Sequence, residues 1–215
     1  MSAKLDQADM YMVLVSTLSS QIQSVLAFHA LITANIEHLT NQPMKKSKVS
    51  FKFRMKMLGG IVFSYRRFSA ELSILALAKV YEDTMVEAED LGCKRFNIWK
   101  GDDLAFKYHH EMRYILALAN IVKHSQSRVL DNRQPSNRFL IDACGIAPGS
   151  QVEYLGVDIP RYVYRVYWFM MQLVAYLTDI RAERVPTNEG KGVGAFKAFM
   201  LPSFLGLRVP RVARR

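Results

Sequence analysis

Between Met10 and Ile36 the chain carries no Asp, Glu, Lys or Arg. Within that stretch Met10, Leu14, Leu18, Ile22 and Leu26 recur at helical spacing. An uncharged helix of this length has two fates: it crosses a bilayer, or it is buried against other helices. The polar residues decide between them. Ser16, Thr17, Ser19, Ser20, Gln21, Gln23, Ser24 and His29 all fall inside the stretch, at positions that a lipid-facing helix wants apolar. The expectation is a helix over residues 6–39 in the core of a helical protein, ended by Asn41-Gln42-Pro43, and not a membrane span.

The rest of the chain continues in the same period. Phe51-Lys-Phe-Arg-Met-Lys-Met57 alternates as a strand does, but no partner strand is evident, so it reads as the mouth of a second helix over 51–89. Gly59-Gly60 is a candidate break or kink within it. A loop around Asn97-Ile-Trp99-Lys-Gly101 leads to Asp102 and Asp103, natural caps for a third helix over 103–129. A short helix is expected near 138–144, then an irregular loop through Gly145, Pro148, Gly149, Gly156 and Pro160. A fourth helix over 161–184, with Tyr162, Val163, Val166, Tyr167 and Phe169, has little polar surface and should be the most buried helix or part of an oligomer interface. From Pro186 the character changes. Gly190, Gly192, Gly194, Pro202, Gly206 and Pro210 oppose a long helix, while Phe196, Phe199, Met200, Leu201, Phe204 and Leu205 are apolar. The expected fold class is all-α: a helical bundle of four long helices over 1–185, with an irregular, basic, Gly/Pro/Phe-containing C-terminal arm over 186–215. That arm docks on the bundle, on a second subunit or on a protein partner.

Half of the residues are hydrophobic, enough to bury a core without metals or disulfides. The two cysteines, Cys93 and Cys144, show no CxxC spacing and no His cluster. No metal site and no cofactor are expected, and two separate thiols suit a reducing cytoplasm. The turn Cys144-Gly145 has the form of a nucleophile at a bend, but with no His nearby in sequence it reads as an inert thiol. No GxxxxGK[ST] loop and no GxGxxG after a strand are present, which removes the usual nucleotide-phosphate cradles.

Charge is the other constraint. The net charge is +10 and the pI about 9.7. Lys45, Lys46, Lys48, Lys52, Arg54 and Lys56 form a run without an acid, and Arg66, Arg67 and Arg128 add to it. One acidic cluster opposes them: Glu82, Asp83, Glu87, Glu89 and Asp90. Such a balance favours RNA or another polyanion as partner, contacted through those cations.

The chemistry-bearing stretch is Asn120-Ile121-Val122-Lys123-His124, late in the third helix. At 100° per residue, His109, Arg113, Asn120, His124 and Ser127 share a stripe about 80° wide, opposite the apolar Ile115, Leu118 and Val122. Metal-free RNA cleavage needs a proton acceptor for the 2′-hydroxyl and a cation for the phosphate oxygens. His124 suits the first role, Lys123 or Arg113 the second, and Asn120 can hold a base edge or an oxygen. Two such helices in a symmetric dimer would double the set.

This stretch resembles the signature of the HEPN families, small α bundles many of which are ribonucleases of toxin–antitoxin, abortive-infection and CRISPR-associated systems. Their motif, often written Arg-Asn-x-x-x-His, is matched here at Asn120 and His124; its Arg position is occupied by Ala119, and Arg113 lies too far back to replace it. The resemblance implies a homodimer that binds RNA, and metal-independent ribonuclease activity only if another cation stands in for the Arg. Two other functions compete: a non-enzymatic assembly protein docking through residues 190–215, and, on the strength of the uncharged first helix and the run at 45–56, a membrane-surface protein.

Overall fold

A computed structural model of the chain describes residues 6–41, 51–100, 106–181 and 184–200, apart from the side chains of Phe51, Arg54 and Tyr154. The protein is all-α. Its elements are α1 (Gln7–Asn41), α2 (Phe51–Asp90), α3 (His109–His124), α4 (Pro135–Arg138, continued by a wide π turn Phe139–Ala143), a 3-10 turn (Val152–Tyr154), α5 (Ile159–Leu177) and α6 (Glu189–Met200). No strand forms among the described residues; a single antiparallel bridge joins Arg128 and Gln151.

α1 and α2 run antiparallel. Thr17 Oγ1 donates to Glu87 Oε1 at 3.2 Å, and one turn on Gln21 Nε2 donates to Asp83 Oδ2 at 3.3 Å. Thr17 and Gln21 of the uncharged stretch thus face the acids of α2, while Leu14, Leu18 and Ile22 are buried among the helices. Among the described residues α1 is the one helix long and apolar enough to cross a membrane, judged by length and composition alone. It runs to Asn41, two residues past the expected end at Leu39 and onto the first residue of the expected Asn41-Gln42-Pro43 stop; residues 42–50 lie outside the described residues. α2 passes through Gly59 and Gly60 without a break. A glycine costs a helix about 1 kcal/mol, which its helix-forming neighbours offset.

α3 is shorter at both ends than the periodicity predicts. Its N-cap is Tyr108, in the left-handed region at φ 67°, so Asp102 and Asp103 do not cap it; both lie outside the described residues. The Tyr108 ring is buried and its hydroxyl donates to Glu189 Oε1 at 2.8 Å, a tertiary tether that holds the backbone bend. At the other end Gln126 (φ 50°) and Ser127 (φ 60°) turn the chain out of the helix. Buried Ser127 then donates to Glu71 Oε1 at 2.6 Å.

α5 begins with a cap, Asp158 Oδ1 accepting from Arg161 N at 3.2 Å, and with Pro160 in its first turn. It stops at Leu177, short of the expected Arg184. Thr178 Oγ1 donates back to Val174 O at 2.8 Å, and Asp179 takes φ 55°. As expected it is the most deeply buried helix: Val163, Phe169, Met170 and Leu173 are fully enclosed, each stabilising the fold by roughly 1.5–3 kcal/mol.

The segment expected to be irregular forms α6 through Gly190, Gly192 and Gly194, and lies against α1 and α5. Phe196 is buried edge-on to Tyr164 at 5.6 Å and beside Tyr167 at 5.0 Å. Glu189 ties its first turn to the body, pairing with Arg165 at 3.1 Å and Arg161 at 3.4 Å. The remainder of the expected arm, residues 201–215, lies outside the described residues.

Candidate nucleic-acid interface

The turn before α3 builds the site. Asn97 Oδ1 accepts from Trp99 N at 3.0 Å, and Asn97 O accepts from Lys100 N at 3.0 Å. This Asx turn presents Trp99 and Lys100 side by side. The Trp99 ring meets Phe139 edge-on at 5.9 Å. The Arg113 guanidinium, reaching from α3, lies 5.2 Å from the Trp99 ring and 4.8 Å from the Phe139 ring. Such a cation–π pair fixes the indole at modest energy, about 0.5–2 kcal/mol. One helical turn pair further along α3, Asn120 Nδ2 donates to Ser136 Oγ at 2.8 Å and fastens α4 to α3.

These residues line an open cleft of about 630 Å³, together with Asn97, Arg138 and Asp142. Arg138 stands at its edge, 3.6 Å from Asp131 with both side chains largely in solvent, so the pair leaves its charge accessible. A second groove of about 660 Å³ shares Asn97, Trp99 and Asn120 with the cleft; Glu82, Met85, Val86, Glu89 and Phe96 are among its walls. Tyr81 lines it too, its phenol pushed up to about 12, chiefly by burial.

Of the four residues expected to act chemically, Arg113 and Asn120 are brought together in the cleft. Lys123 and His124 are exposed and do not line it. Lys123 Nζ instead meets Glu82 at 3.2 Å. The wheel's other histidine, His109, sits with Nε2 3.0 Å from Ile98 O, and its neighbour His110 packs on Phe139 at 5.2 Å. The expected binding cations separate as well. Lys45, Lys46 and Lys48 lie outside the described residues, as does the side chain of Arg54; Lys52, Lys56, Arg66 and Arg128 are exposed. Arg67 is held inside the protein's own surface, 3.2 Å from Glu71 and 2.8 Å from Glu153.

Among the described residues no three His, Cys, Asp or Glu converge as metal ligands. Both cysteines are free, and burial pushes the Cys144 thiol up, which keeps it protonated at neutral pH despite the nearby Arg113. Trp99, Lys100, Arg138 and Phe139 were not singled out from the sequence; the available signal was an aromatic beside a lysine in an Asn-led turn.

No family model, no curated protein and no solved structure matches this chain. The likeness of Asn120-x-x-x-His124 to the HEPN motif therefore rests on those residues alone.

Proposed function

We propose that the protein binds single-stranded RNA in the Trp99 cleft, as a cytoplasmic HEPN-like protein whose core is the bundle of four long helices α1, α2, α3 and α5. The setting that goes with this reading is a bacterial or phage conflict system of the toxin–antitoxin or abortive-infection type. The observation that carries it is Trp99, held by Arg113, with the accessible cations Lys100 and Arg138 around one open cleft. A base stacks on an aromatic face, the two cations take flanking phosphates, and Asn97 and Asp142 offer an amide and a carboxylate to a base edge. The general excess of positive charge supplies attraction at longer range.

Fluorescence anisotropy with a labelled oligoribonucleotide tests it. Trp99→Ala removes a stack worth about 1–3 kcal/mol, so affinity should fall roughly tenfold or more. Lys100→Ala with Arg138→Ala should flatten the dependence of log K on log salt by about 1–2. Affinity and salt slope that both variants leave untouched would sink the proposal.

A second reading, cleavage, draws on Asn120 and His124 being one turn apart on α3 and both exposed. His124→Ala should then abolish cleavage while leaving RNA binding in place. A wild type that binds RNA and leaves it intact discards this second reading.

A further inference from the structure

The Trp99 cleft contains one group that the phosphates of a polyanion do not explain. Asp142, in the wide turn Phe139–Ala143, lines it together with Phe139 and Arg138, and is exposed. Among the described residues no ion pair or hydrogen bond engages its carboxylate. Arg138 turns instead to Asp131 at 3.6 Å, and the Arg113 guanidinium lies over the Trp99 and Phe139 rings. A carboxylate beside a phosphate chain is repelled by it, at a cost to binding. The cost is offset only where the ligand brings hydrogen-bond donors to the two carboxylate oxygens.

Asn97 is the complement. Its Oδ1 accepts from Trp99 N at 3.0 Å and so closes the turn, which leaves Nδ2 as a donor with no partner among the described residues. Asn120 is committed the other way, Nδ2 donating to Ser136 Oγ at 2.8 Å. Around the indole the cleft therefore offers one amide donor and one paired acceptor. The four bases answer that set differently along their pairing edges. Guanine presents an acceptor, O6, and then two adjacent donors, N1–H and the exocyclic amine. Uracil has a single N–H between two carbonyls. Cytosine has one amine followed by two acceptors, and adenine one amine followed by a bare ring nitrogen. Guanine alone brings two neighbouring donors to a carboxylate with an acceptor beside them. Each of the others sets an acceptor against the carboxylate or leaves one of its oxygens unmet.

We propose that the cleft takes a guanine base, stacked on Trp99, with Asp142 accepting from N1–H and the exocyclic amine and Asn97 Nδ2 donating to O6. The assignment rests on the single-stranded RNA reading above and deepens it from nucleic acid to one base; Lys100 and Arg138 hold the phosphates on either side. A free guanine nucleotide carries the same edge, so the experiment separates the two sources.

Fluorescence anisotropy on the full chain tests it, with labelled oligouridylates that carry one central guanosine, adenosine, cytidine or inosine. The guanosine oligomer should bind about tenfold or more tightly than plain oligouridylate. Inosine, which keeps O6 and N1–H but lacks the amine, should fall between them. Asp142→Asn turns one acceptor oxygen into a donor. It should bring the guanosine oligomer down to the level of plain oligouridylate, whose own affinity, unchanged, shows that the variant is folded. Calorimetry with guanosine monophosphate reads the free nucleotide. Oligomers that bind equally whatever their central base, while Trp99→Ala weakens them all, leave the RNA reading standing and overturn the guanine assignment. Preference for another base overturns it, as does guanosine selectivity that survives Asp142→Asn. Guanosine monophosphate binding that Asp142→Asn abolishes, with no oligomer bound, keeps the base assignment and discards RNA as its source. A protein that binds neither overturns both.

Discussion

Two glycines of α6 should respond in opposite directions to the same substitution. An alanine Cβ at Gly192 would lie 2.8 Å from the Tyr164 hydroxyl oxygen, 3.2 Å from Cζ and 3.3 Å from Cε2. At Gly194 it would meet nothing within 4 Å. Both positions gain about 1 kcal/mol of helix propensity on becoming alanine. Only Gly192→Ala has to displace a neighbour, and that neighbour is ill placed to yield. Tyr164 is fully buried, with Tyr108 at 6.3 Å, Trp168 at 6.4 Å and Phe196 at 5.6 Å around its ring. Overpacking of this kind costs about 1–3 kcal/mol. Gly194→Ala should therefore stabilise by up to about 1 kcal/mol, and Gly192→Ala should be worse than it by roughly 1–3 kcal/mol. Urea unfolding followed by circular dichroism reads both. Adding Tyr164→Phe to Gly192→Ala removes the closest atom and should recover part of the loss. Equal stability of the two alanine variants would refute the claim that α6 is glycine-bearing because it must approach Tyr164.

Two more outcomes follow from contacts at either end of the fold. The Glu189 carboxyl is held below its usual range: partial burial acts against its charged form, but the Tyr108 hydroxyl and the Arg165 and Arg161 guanidinia outweigh it. A lowered folded value means that the ionised form is the one folding favours. Its stabilisation is therefore present above the ordinary carboxylate range and fades as pH falls through the lowered value. In urea titrations the gap between wild type and Glu189→Gln should be widest near neutrality and close in acid; a gap constant with pH contradicts this. Asn137 is fully buried, donates to Asn132 Oδ1 at 2.8 Å and Gln134 Oε1 at 3.1 Å, and accepts from Leu130 N at 2.9 Å. Asn137→Ala should destabilise by about 2–4 kcal/mol, and a loss under 1 kcal/mol in the same titration would show that the loop it ties is held by other contacts.

The helices were legible where apolar period and local breakers agree. α1 and α2 end within two residues of the boundaries expected from sequence, and at the end of α2 the breaker is local, Gly92 at φ 88°. α3 was misjudged at both ends because distant partners set them. Tyr108 bends to reach Glu189, and Ser127 to reach Glu71, and neither partner is visible from within the helix's own sequence. In α6 three glycines outweighed the apolar Phe196 and Met200 on paper, whereas the packing of those two side chains outweighs the glycines in the fold.

The cleft was harder to anticipate for a related reason. A helical wheel groups residues by angle alone, and angle placed Asn120 with His124. Which member of a stripe faces a cavity depends on what stands opposite. Ser136 and Phe139 stand opposite Asn120 and Arg113, while the chain leaves the helix just after His124. The stripe is therefore divided between a walled portion and an open one. The walled portion takes its aromatic surface and its accessible cations from Trp99 and Lys100, in the turn before α3, and from Arg138, at the end of α4. A helix motif can name at most one wall of such a site. If RNA binds here, substitutions at Trp99, Lys100 and Arg138 should weaken it more than His124→Ala does, and the reverse order would return the function to the motif.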